Sequence, residues 1–204
     1  MQSIEEWLDD LASAAPAPGG GAAAALLAAT GAALVSMVTN LTIGNPKYAD
    51  HEAEMMSVRD RVATLRAQAM QLAHDDAEAF LAVIAAYKLP KQTEGRSETI
   101  QHALAGAARV PLQLAGIAAE VIGAAQAVLP GANPNVLSDV AVAADSARAA
   151  LTSAAVNVRI NLAALKEPGV AAALALELDG HLAAVAVADR VSATVLRRIT
   201  EGAE

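Results

Sequence analysis

Asp76 is the residue most out of keeping with its surroundings. Val62, Leu65, Ala69 and Leu72 step by three and four, the spacing of one helix face, and two further steps of four land on Asp76 and Phe80. A carboxyl group therefore stands where the pattern asks for an aliphatic side chain. Burial in an apolar wall penalises the carboxylate and raises its pKa, which makes an acid or base able to work near neutral pH. The competing reading is structural: an ion pair with an arginine, or a cap on a neighbouring helix. Asp75 and Glu78 fall off the stripe and read as solvated.

Asn157 and Asn161 are four apart, beside an apolar stripe of Val140, Ala144, Leu151, Val158 and Leu162. Two amides aimed at one place offer donors and acceptors to a polar heterocycle. The plainer reading is that they tie one helix to the next. Asp139, at a helix start, reads as a cap or as a second catalytic acid. Asn133 and Asn135 lie in a proline-rich turn, where asparagine is ordinary. Gly19, Gly20 and Gly21 precede a helix whose exposed amides could hold an anion, but no strand precedes them as in a phosphate loop. None of the four histidines falls in a metal-binding motif, so no metal is expected.

Long helices must position these groups. Ser3 and Glu6 form a capping box for a first helix from about Ile4 to Ala14, ended by the Pro16 to Gly21 segment. A second helix covers Gly21 to Thr39 and stops at Gly44-Asn45-Pro46, with Lys47 and Tyr48 in the turn. The third runs from about Asp50 to Ala86 and closes at Leu89-Pro90-Lys91. Thr93 or Ser97 caps a fourth that reaches Leu129, in which Pro111 should cause a kink or a break. After the Pro130 to Asn135 loop, Ser138 or Asp139 caps a fifth ending near Leu165, and a last helix covers about Val170 to Thr200. No strand alternation or repeat appears, so residues 1–204 read as one all-α domain, an antiparallel bundle of five to six long helices.

Composition narrows the function classes. Of 204 residues 54 are alanine, 2% are aromatic and none is cysteine, and the net charge is −8. Alanine at that level favours helix. Zero cysteine excludes thiolate catalysis, disulfide scaffolds and iron–sulfur sites, while the acidic charge and scarce aromatics exclude a general nucleic-acid binder. Leu11 to Pro46 contains no charged residue, and its apolar part is long enough for a membrane span. Its alanine richness, its leading Pro-Ala-Pro-Gly-Gly-Gly turn and the lack of a basic flank favour a buried bundle or interface helix instead. The acidic start at Glu5-Glu6 is unlike a secretion signal. A cytoplasmic protein with no membrane partner is expected.

Taken in order, APAPGGGAAAALLAATGAALVSMVTNLTIGNPKY, DDAEAF, LPK, VPL, NPNVLSD and AAVNVRINL resemble the cyclodeaminase/cyclohydrolase family of tetrahydrofolate one-carbon enzymes, from Ile4 to about Leu165. The resemblance implies a helical homodimer that binds a reduced folate near the subunit boundary, with no cofactor beyond that substrate. It implies either hydrolysis of 5,10-methenyltetrahydrofolate to the 10-formyl form or cyclisation of 5-formiminotetrahydrofolate with loss of ammonia. The family's catalytic Asp falls on Asp76. Its other polar positions fall on Gly19 to Gly21, Lys47, Tyr48, Asn133, Asp139, Asn157 and Asn161. His74 stands where some members carry a further acid. The TNLTIGNPKY and NVLSD segments look closer to stand-alone bacterial cyclohydrolases, so hydrolysis is taken first, cyclodeamination second and a scaffold without turnover third. Folate glutamates need local cations, for which Lys47, Lys88, Lys91 and Arg159 are the candidates.

Overall fold

The structure, a computed structural model, describes residues 3–201. Four long helices form its centre: α2 (Gly20–Asn40), α3 (Glu52–Lys88), α4 (Arg96–Val128) and α5 (Leu137–Ala163). Short connections between long helices give neighbours that run antiparallel. Helices α6 (Pro168–Leu182) and α7 (Val185–Glu201) pack on α4 and α5, and the short α1 (Ile4–Ala12) leads the chain. No strand occurs among the described residues. The expected all-α bundle with five to six long helices is present.

Small side chains set the spacing. Helix α2 buries Ala24, Ala25, Ala28, Ala32, Val35 and Val38 against α3 and α5, and α5 answers with Ala143, Ala144, Ala147, Ala150 and Ala154. At Gly31 the contact is closest: a Cβ there would stand 2.9 Å from the Ala143 carbonyl oxygen. The uncharged segment is therefore a central bundle helix. Helices α2 and α4 and the α6–α7 segment are still long and apolar enough to cross a membrane.

Several expectations about helix ends are corrected. The α1 capping box forms, with the Ser3 amide donating to Glu6 Oε2 at 2.6 Å and the Glu6 amide to Ser3 Oγ at 3.1 Å. Neither Thr93 nor Ser97 caps α4, since the N-cap is Gly95, whose positive φ of 70° suits a residue without a Cβ. Neither Ser138 nor Asp139 caps α5. A short 3-10 turn, Pro134–Val136, leads directly into that helix and places Asp139 in its first turn. Pro111 does not interrupt α4, because it is buried where the surrounding packing holds the helix continuous. The last predicted helix is two, broken at Ala183 and Ala184 between α6 and α7.

Candidate functional site

The stripe on α3 is buried as far as Leu72 and then emerges. Asp76 lies one turn further, half-buried, beside the N-terminal turn of α2, where the opposing helix ends. Phe80, predicted to continue the buried stripe, is 46% exposed, because α2 no longer covers α3 at that level. The two residues face a cleft of about 350 Å3 together with Gly19, Gly20 and Gly21 and with Asn157 and Asn161 from α5. Pro16, Val83, Ala107 and Ile160 supply apolar wall.

The structural readings proposed for Asp76 are not realised. Its carboxyl group makes no ion pair or hydrogen bond among the described residues, and α2 has no side-chain cap at Gly19. Desolvation holds its pKa above the ordinary 3.8. Gly21 is what admits the carboxyl group, since a Cβ at that position would overlap the Asp76 side chain. Asp75, expected to be solvated, is half-buried and accepts from Gln71 Nε2 at 2.9 Å, whereas Glu78 is exposed.

The asparagines face the cleft from α5 with their amides partly committed. Asn157 Nδ2 donates to the Ser153 carbonyl at 3.0 Å. Asn161 Nδ2 donates to the Asn157 carbonyl at 3.0 Å and, across to α4, to the Ala107 carbonyl at 3.1 Å. The plainer reading holds for Asn161, which bonds α5 to α4, and the same side chain also lines the cleft.

Other predicted site residues gather elsewhere. Lys47 and Tyr48 lie in the 3-10 segment Pro46–His51 beyond the C-terminus of α2, with the Lys47 ammonium 5.6 Å from the Tyr48 ring centre. Tyr48 Oη stands 3.5 Å from Asn133 Oδ1, and Asn133 Nδ2 donates to the Leu41 carbonyl. This cluster is about 30 Å from the Asp76 cleft of the same chain, the length of a 21-residue helix at 1.5 Å per residue. Asp139 is likewise at the opposite end of α5, about 27 Å along the axis from Asn157 and about 33 Å from Asn161. Within one chain Asp139 does not join Asp76. Among the proposed cations, Arg159 lies 4.0 Å from Asp179, and Lys88 and Lys91 are exposed.

Phe80, Ile160 and Ala107 belong to the cleft without having been singled out as site residues. Phe80 was discoverable, being the only phenylalanine of the chain and one turn from Asp76 on its face. Ile160 and Ala107 carry no such mark.

Around one apolar cleft this all-helical bundle gathers two amides and a half-buried carboxyl group with no partner among the described residues, an arrangement able to move a proton and to hydrogen-bond a polar ligand. The formiminotransferase-cyclodeaminase family model matches residues 3–180, and the chain belongs to this family. It is 46% identical over 203 residues to a methenyltetrahydrofolate cyclohydrolase of Methylorubrum extorquens, covering 97% of this chain and 98% of that one. It is 35% identical to the formimidoyltransferase-cyclodeaminase of Rattus norvegicus over 78% of this chain but 30% of the rat protein. A crystal structure of formiminotetrahydrofolate cyclodeaminase from Thermotoga maritima superposes with a TM-score of 0.89 at 31% identity, covering 98% of each chain.

Proposed function

We propose that the protein is a methenyltetrahydrofolate cyclohydrolase, hydrolysing 5,10-methenyltetrahydrofolate to 10-formyltetrahydrofolate. The observation that carries the reading is Asp76, a desolvated carboxyl group without a partner among the described residues, in a cleft of suitable size. Near-full-length identity to the Methylorubrum cyclohydrolase favours hydrolysis over the cyclodeaminase activity named for the Rattus and Thermotoga relatives. The methenyl carbon lies between two nitrogens and shares their positive charge. A cation of that kind supplies the counter-charge that Asp76 lacks in the free protein, so binding favours the ionised carboxylate. Water adds to the carbon while Asp76 takes its proton. The hydroxyl group of the resulting carbinol then loses its proton to solvent as the C–N5 bond breaks, N5 takes up the proton held by Asp76, and the formyl group remains on N10. Asp76 alternates between base and acid, and the scheme uses no metal or redox cofactor.

The proposal includes a cytoplasmic homodimer, with no nucleic-acid or membrane partner. Leu27 and Met37 on α2, with Leu41 just past its end, leave an uncharged, exposed apolar row. Two copies of α2 packed antiparallel across a two-fold axis would carry Lys47, Tyr48 and Asn133 of one copy towards the Asp76 cleft of the other. The folate glutamates, which need positive charge, would then meet Lys47.

Purified protein is expected to accelerate loss of the methenyl absorbance well beyond the uncatalysed rate. Ammonia release from 5-formiminotetrahydrofolate without methenyl hydrolysis would replace this reading with the cyclodeaminase. Inactivity towards both would leave a scaffold. Recovery of untagged protein only in detergent would overturn the soluble assignment.

A further inference from the structure

Pro111 stands in the middle of α4, where a proline is costly, and the family reading gives it no task. An α-helical residue donates its N–H to the carbonyl four positions earlier, which for position 111 is Ala107. Proline has no N–H, and its ring pushes that carbonyl off the helix axis. The Ala107 carbonyl is the one that receives Asn161 Nδ2 from α5 at 3.1 Å, and Ala107 and Asn161 both line the Asp76 cleft.

The second hydrogen of the same amide goes to the Asn157 carbonyl at 3.0 Å. Both donors of Asn161 are therefore used by backbone, while its Oδ1 accepts no hydrogen bond among the described residues. The side chain offers the cleft only an acceptor.

We infer that Pro111 is a positioning residue: by leaving the Ala107 carbonyl vacant it fixes the Asn161 amide so that Oδ1 faces an N–H donor of the bound folate. The direction of this amide decides what the cleft can recognise. A reduced pterin carries several N–H donors, and an acceptor held beside it distinguishes them from ring carbonyls. An alanine at position 111 would restore the N–H, draw the Ala107 carbonyl back into the helix ladder and release Asn161 to turn.

The inference rests on the proposed folate chemistry for its consequence, and two readouts separate the two. In Pro111→Ala the helix is expected to persist with an unchanged or higher Tm, since alanine is the better helix former. The KM for 5,10-methenyltetrahydrofolate should rise about five- to tenfold, the size of one neutral hydrogen bond, with kcat changed less. Asn161→Ala should show a similar rise, and the double variant should show no more than Asn161→Ala alone. An unchanged KM in Pro111→Ala, or losses that add in the double variant, overturns the inference.

Side-chain amide exchange by NMR requires no turnover. In the unmodified protein the Asn161 amide protons should exchange more slowly than those of Asn157, which has one backbone acceptor. That protection should fall in Pro111→Ala. Equal exchange at the two asparagines overturns the inference even if the variant fails to fold. Absence of folate turnover with slow Asn161 exchange would defeat the functional reading and leave the Pro111 geometry standing.

Discussion

Gly21 and Asp76 occupy neighbouring space from two helices, and each constrains the other. The group that a Cβ at position 21 would strike is the end of a side chain rather than backbone. Gly21→Ala is therefore expected to displace the carboxyl group rather than the helices. Activity should fall by about two orders of magnitude, the contribution of a positioned acid–base group, with Tm nearly unchanged because alanine gains helix propensity. Asp76→Asn separates function from stability in the opposite sense. The folded protein binds the Asp76 proton more tightly than the unfolded chain, since burial raises its pKa above 3.8. This residue therefore costs nothing at acid pH and destabilises the fold increasingly as pH rises through the raised value. Asp76→Asn should melt above the unmodified protein at pH 7, with the gap closing as pH falls towards 3.8. Its catalytic rate should be lost. In the unmodified protein kcat/KM should rise with pH along a limb centred above 3.8, and a limb centred at or below that value would contradict Asp76 as the base.

Helix ends show where sequence was legible and where it was not. The Gly44-Asn45-Pro46 stop and the Pro130 to Asn135 loop are clear because their residues cannot continue a helix. The break at Ala183 and Ala184 is unmarked by glycine or proline, and Gly180 lies inside α6 instead. Asp76 stood out because a period of small apolar residues makes one carboxylate visible. Phe80 was misjudged because an apolar residue on an apolar face does not tell how far the opposing helix extends. Pro111 does not break α4, and the Ala107 carbonyl it leaves without a helical donor is met from α5, which local rules do not see. Side chains from the next helix or from further along the chain also close helix ends. Arg96 donates from Nε to the Leu89 carbonyl and from Nη2 to the Tyr87 carbonyl, both at 2.8 Å, and Arg198 reaches the Leu129 carbonyl at 2.8 Å. Carbonyls at a helix C-terminus have no intrahelical donor. Arg96→Ala should lower unfolding free energy by about 1–2 kcal/mol, read from urea titration, for the two charge-assisted bonds lost. An unchanged urea midpoint would show that water replaces the arginine at no cost.

At the scale of the molecule, the polar positions that the family resemblance implies divide between two ends of one bundle. Asp76, Gly21, Asn157 and Asn161 meet at the N-terminal end of α2, and Lys47, Tyr48 and Asn133 meet beyond its C-terminal end. Helix length makes this division invisible in sequence, where all these motifs share one ordered series. It also makes the proposed dimer testable by mixing. Asp76→Asn and Lys47→Ala/Tyr48→Phe are each expected to be strongly impaired alone. Unfolded together and refolded, they would form mixed dimers in which one cleft carries both defects and the other carries neither. Random pairing makes half the dimers mixed with one intact site each, so activity should return to about a quarter of the unmodified rate per chain. If both clusters served the same chain's cleft, every cleft in the mixture would carry one defect or the other, and nothing would return. Sedimentation of a single chain mass would exclude the dimer directly. Recovery near a quarter would establish that each cleft is completed by the partner chain, as packing along Leu27, Met37 and Leu41 requires, and that a chain at net charge −8 gathers cations for an anionic substrate by borrowing them from its partner.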